Sequence, residues 1–143
     1  MICAVSLRSL SAPVEALRDD LVAAYQRLDA KWENIAKCLK ALPIPCTVSF
    51  SYSFDEYHPA DSDDLVWKKW NGKKRICIES CRFNPGGHSD SDYEVTTVPY
   101  EEWSGPQRIE MLEHVPKLFE AAEKQTKAFI ERTRKWENSD DLS

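Results

Sequence analysis

A chain of 143 residues, 42% apolar and 30% charged with a net charge of −5, fits one soluble domain that buries about two-thirds of its unfolded surface. No apolar run approaches the ~18 residues of a membrane span, and a general nucleic-acid coat protein would be basic overall. The first seven residues lack a basic leader and carry too short an apolar stretch for a signal peptide. Five cysteines (Cys3, Cys38, Cys46, Cys77, Cys81), odd in number and scattered, read as reduced thiols of a cytoplasmic protein.

The first strong segment runs from Ser11 to Leu42. Val14, Leu17, Leu21, Ala24, Leu28, Trp32, Ile35, Leu39 and Leu42 recur every three or four residues, which predicts a helix over 11–42 close to coiled-coil periodicity. Ser11 is the expected N-cap, and Leu42-Pro-Ile-Pro45 stops the helix because a residue before proline avoids the α region. Strict alternation follows. Cys46, Val48, Phe50, Tyr52 and Phe54 share one face against Thr47, Ser49, Ser51 and Ser53, the pattern of a half-buried strand with its aromatics in the core.

Residues 55–64 form a linker with Asp61, Asp63 and Asp64. Beyond it, Asn71-Gly72 separates two β-favouring runs, near 64–70 and 73–83, and specifies a type I′ hairpin with φ > 0 at both turn positions. A two-residue turn sets Lys69 opposite Lys74 and Lys68 opposite Arg75. Facing like charges cost roughly 0.2–1 kcal/mol a pair. In this register Leu65, Trp67, Ile76 and Ile78 belong to the core face, and Val66, Lys68, Trp70, Lys73, Arg75 and Cys77 to the other. A second loop spans 84–92, and a fourth strand runs from Tyr93 to Val98.

The last element starts at Ser104-Gly-Pro-Gln107, a capping-box spacing with proline in the first turn. Leu112, Val115, Phe119, Ala122, Thr126, Phe129, Thr133 and Trp136 continue at helical spacing, and Pro116 predicts a kink near 113–116. The fold class is therefore α+β, a single domain over 1–143. A four-stranded antiparallel meander (46–98) is flanked by long N- and C-terminal helices (11–42 and 104–137, order αββββα), with a frayed tail at 138–143. Helices of about thirty residues are longer than a ~20 Å strand can cover. Part of their apolar stripes is thus expected in a homo-oligomer interface involving Leu28, Trp32, Ile35, Leu39, Phe119, Phe129 and Trp136.

Charge along the chain is uneven. Residues 55–64 carry five acids and no base, 65–83 six bases and one acid, and 84–103 five acids and no base. The expected binding element is the cationic hairpin between them, formed by Trp67, Lys68, Lys69, Trp70, Lys73, Lys74 and Arg75. Its lysines and arginine concentrate positive potential, and Trp70 offers a ring for stacking. The bland reading is that edge lysines merely prevent strand-to-strand aggregation and are neutralised by residues 55–64 and 84–94.

Cys77, Cys81 and His88 have poor metal spacing, since residues four apart on a strand lie ~13 Å apart. His58 with Asp61, Asp63 and Asp64 lacks the EF-hand pattern. Nucleophile-elbow, Walker and Rossmann motifs are absent, and Glu101-Glu102 is explained by the dipole of the helix that follows. The sequence thus reads as a non-enzymatic binding protein without a cofactor, which uses its hairpin to engage an acidic protein surface or a nucleic acid, as an inhibitor or adaptor. The alternative is a phosphorylated or nucleotide-like small molecule held between the hairpin and the helices, with Trp67, Trp70 and Arg75 as its wall.

Overall fold

The computed structural model of the chain describes residues 6–55, 57, 61–83 and 93–137. The loop expected at 84–92 with His88, the linker residue His58, Cys3 and the tail at 138–143 lie outside the described residues. The fold is α+β. One sheet holds four strands in the order β1-β2-β3-β4, all neighbours antiparallel: β1 (Val48–Phe54), β2 (Ser62–Trp70), β3 (Lys73–Phe83) and β4 (Tyr93–Pro99).

Each of the two expected long helices comes as two shorter ones. The N-terminal one comes as α1 (Leu7–Glu15) and α2 (Arg18–Ala41). It starts before the expected Ser11, because the Ser6 side chain accepts from the Ser9 N–H at 3.2 Å and caps α1 there. Pro13 falls inside α1, where its missing donor and its ring act on the turn before it, towards Ser9; the helix tightens further on at Leu17, whose N–H bonds the Val14 carbonyl at 3.0 Å. The C-terminal one comes as α3 (Gly105–Leu112) and α4 (Val115–Glu137), so Pro116 sits in the first turn of α4, the position that tolerates it. The Ser104 hydroxyl accepts from the Gln107 N–H at 3.3 Å at the start of α3, as its spacing predicted.

The helices cover one face of the sheet, with α4 along β1 and α2 against α3 and β3. Trp32, Leu39, Ile44, Val48, Leu65, Trp67, Ile76, Ile78, Trp103, Met111, Leu118 and Ala122 form the core between the layers. Trp32 and Trp103 meet edge to face at 5.0 Å, and both indoles are satisfied: Trp32 Nε1 donates to the Arg108 carbonyl at 3.0 Å and Trp103 Nε1 to the Val98 carbonyl at 2.9 Å. Trp32 and Leu39, expected between subunits, are 0% and 1% exposed within the chain's own core. Leu28, Ile35 and Phe119 pack against that core, and Phe129 and Trp136 are exposed. The contiguous seam expected between subunits is therefore largely internal.

Two details depart from simple alternation. Ser51 pairs with Asp64 and Ser53 with Asp63, so Tyr52 is an inserted residue that reverses the pleat. Phe54 then pairs with Ser62 and is exposed instead of sharing the core face with Phe50. On the far face, Val66 and Cys77 pair across β2 and β3 and are buried too. Lys68 ion-pairs with Glu79 diagonally across these strands, and the link passes over the Val66–Cys77 pair, with the lysine stem as its cover. Burial pushes the Cys77 thiol up to about 11, which leaves it protonated and inert at neutral pH.

Candidate functional site

The hairpin has the register its Asn71-Gly72 turn demands. Asn71 and Gly72 have φ of 50° and 90°, Lys68 pairs with Arg75, Lys69 with Lys74, and Trp70 with Lys73. β1 pairs with β2 only as far as Trp67, and β4 ends with Pro99 opposite Cys77. Residues 68–75 therefore continue as a two-stranded ribbon beyond both neighbouring strands. Pro99 cannot donate to a ladder, which suits it to the end of β4.

The facing cations of the ribbon are largely satisfied within the chain. Lys68 is paired with Glu79, which also accepts from the Thr97 hydroxyl at 3.2 Å, and Lys68 Nζ lies 5.3 Å from the centre of the Trp70 ring. Arg75 Nη1 stands 3.3 Å from Glu101 Oε1, and Lys74 Nζ donates to the Ile44 carbonyl at 3.1 Å. Cross-strand repulsion is thus relieved among the described residues by Glu79 and Glu101, while the described linker acids bond elsewhere. Asp63 bonds Ser80 and Arg82, and Asp64 accepts from Ser51. Lys69 and Lys73 have no polar partner among the described residues.

Where β4 stops, the open side of the ribbon faces α2 across a cleft of about 140 Å³. Its lining holds five cations, Lys37 and Lys40 of α2 with Lys73, Lys74 and Arg75 of β3, against two carboxylates, Glu33 and Glu101. Trp67 and Tyr100 supply aromatic wall. Trp67 is 1% exposed, yet its Nε1 is buried with no hydrogen-bond partner, and Arg75 Nε is in the same condition. A buried donor left unpaired costs about 1–3 kcal/mol, and Arg108 Nε, away from the cleft, is in the same condition.

Of the hairpin residues named from sequence, the cleft gathers Trp67, Lys73, Lys74 and Arg75; Lys68, Lys69 and Trp70 stand outside its lining. Sequence reasoning missed Lys37, Lys40 and Tyr100. The spacing of Glu33, Lys37 and Lys40 by four and three was the available signal, a polar stripe beside the buried Trp32–Leu39 stripe.

A second polar hollow of about 580 Å³, lined by Asp55, Asp61, Asp63 and Arg82 among others, lies at the opposite end of the sheet. Nearby, the His114 ring stacks on Tyr52 at 4.9 Å, and burial first, then Asp63, pushes the Tyr52 hydroxyl up to about 12. The hollow's Asp63 is already engaged by Ser80 and Arg82. Among the described residues no group of three or more His, Cys, Asp or Glu side chains could hold a metal, and no helix is long and apolar enough to cross a membrane. Comparison with known protein families, with curated proteins and with solved structures finds no match.

Proposed function

We propose that this chain is a non-enzymatic binding protein, working as an oligomer, that engages an anionic macromolecular partner through the face where the β2–β3 ribbon meets α2. The observation that carries this reading is the cleft itself: cations outnumber carboxylates there by five to two, with Trp67 and Tyr100 as aromatic wall. An anionic group seated between Lys37, Lys40 and Lys73 offsets this excess of positive charge. Lys69, and Trp70 with its stacking surface, extend the footprint along the ribbon beyond what a single small ion needs. Occlusion of the partner's acidic surface by such a footprint is the action of an inhibitor or adaptor.

The test is binding of a fluorescent single-stranded oligonucleotide and of polyglutamate to the wild type and to a Lys37→Glu, Lys40→Glu, Lys73→Glu variant. These side chains make no hydrogen bond or ion pair among the described residues, so the variant keeps its melting temperature while affinity falls at least tenfold. Log affinity for the oligonucleotide then falls linearly with log salt, with a slope set by the phosphates contacted. Unchanged affinity in the variant refutes the reading.

A second reading is favoured by the size of the cleft. A volume of about 140 Å³ walled by Lys37, Lys40, Lys73 and Arg75 suits one phosphate group of a small phosphorylated or nucleotide ligand. Saturable one-to-one quenching of tryptophan fluorescence by ADP, with no binding of the oligonucleotide, decides for it.

A further inference from the structure

The molecule leaves a second surface without a partner. No residue of α1 is buried, and in α2 the buried residues are Trp32 and Leu39, both beyond its first three turns. Along this bare length Leu7, Leu10, Val14, Leu17 and Leu21 recur in steps of 3-4-3-4 and are 83%, 59%, 70%, 57% and 56% exposed. The seam runs on into an apolar groove of about 660 Å³ between α2 and α3, at whose edge Ile109 is 63% exposed. Five aliphatic side chains in heptad register are more than a monomer leaves bare without use.

We infer that a second copy of this chain covers this seam, by packing its own α1–α2 seam against it about a two-fold axis. The inference rests on the oligomeric reading above and assigns its surface. Three observations select this occupant. An identical copy supplies an identical 3.5-residue repeat, the condition for knobs-into-holes packing. With the copies antiparallel, Leu10 of one lies against Leu21 of the other and Val14 against Leu17, and the flanking Ser11, Pro13, Arg18 and Asp20 bring no like charges together.

Charge argues against a membrane surface as the occupant. Interfacial helices carry a basic polar face, whereas residues 7–20 hold Arg8 and Arg18 against Glu15, Asp19 and Asp20.

Sedimentation equilibrium tests this on the full chain, beside a Leu10→Glu, Leu17→Glu variant. Both leucines are exposed and remote from the core, so the variant keeps the circular dichroism of the wild type. The wild type is expected at twice the chain mass of 16.5 kDa and the variant at that mass, with dimer affinity reduced at least a hundredfold. A wild-type monomer at all concentrations overturns both the surface and the oligomeric reading. A dimer that survives Leu10→Glu, Leu17→Glu but dissociates with Phe129→Glu, Trp136→Glu overturns the assigned surface alone. Flotation of a monomeric wild type with phosphatidylserine vesicles, abolished by the leucine substitutions, overturns it in favour of lipid.

Discussion

Lys68 and Glu79 close an ion pair diagonally across β2 and β3, directly over the buried Val66–Cys77 pair. The arrangement does two things together: it removes one of two facing cations from mutual repulsion, and it roofs a small apolar row on the otherwise open face of the sheet. The side chains are 21% and 28% exposed, so the pair lies between a surface bridge and a buried one.

Glu79→Gln is therefore expected to destabilise by about 1 kcal/mol, because Lys68 then faces Arg75 with its neutraliser gone. Urea unfolding of Glu79→Gln, Lys68→Met and the double variant measures the coupling, expected at roughly 0.5–1 kcal/mol. Zero coupling means that the pair contributes nothing to the hairpin.

Gly72 adopts φ of 90° with nothing within 4 Å of an added Cβ, so Gly72→Ala isolates backbone strain from packing. The expected loss is about 1 kcal/mol by urea unfolding. Affinity for the oligonucleotide should fall as well, since the turn aims Lys73 beside the cleft.

Stability should decline above about pH 9. Cys77 ionises near 11 in the fold against 9.0 ordinarily, and Tyr52 near 12 against 10.0, burial being the main cause for both. Raised folded values mean that the unfolded chain releases these protons first. Stability is thus fully present below pH 9, falls between 9 and 11 through Cys77, and between 10 and 12 through Tyr52. Urea midpoints across that range, in wild type and Cys77→Ala, check this: the variant loses the lower part of the decline.

Much of the fold was legible because its signals are local. The Asn71-Gly72 turn dictates φ > 0 at two adjacent positions and with it the register, so Lys68 opposite Arg75 followed from sequence alone. Pro116 marked the α3–α4 break. The Tyr52 bulge was not legible, since one inserted residue leaves the alternating sequence unchanged while reversing its faces. Burial of Val66 and Cys77 was equally hidden, for it depends on a lysine laid across two strands. The candidate site was half legible. Its β3 cations lie in one run, but Lys37 and Lys40 reach the cleft only because Trp32 and Leu39 dock α2 beside β3. Arg75 finds Glu101 only because β4 stops at Pro99.

Trp32 joins the two layers, and Trp32→Phe should cost about 2–3 kcal/mol, since it removes ring volume and leaves the Arg108 carbonyl without its indole donor. A loss below 1 kcal/mol in urea unfolding would show that the bond to Arg108 carries little weight.

The cleft between the ribbon and α2 is the centre of the functional account, and the indole N–H of Trp67 reports on it most directly. In a ¹H–¹⁵N titration with a short single-stranded oligonucleotide, the Trp67 indole resonance should shift and saturate as the cleft it walls fills. Those of Trp32 and Trp103, already bonded to the Arg108 and Val98 carbonyls, should stay in place. A Trp67 resonance that does not move while the oligonucleotide binds elsewhere would contradict the account.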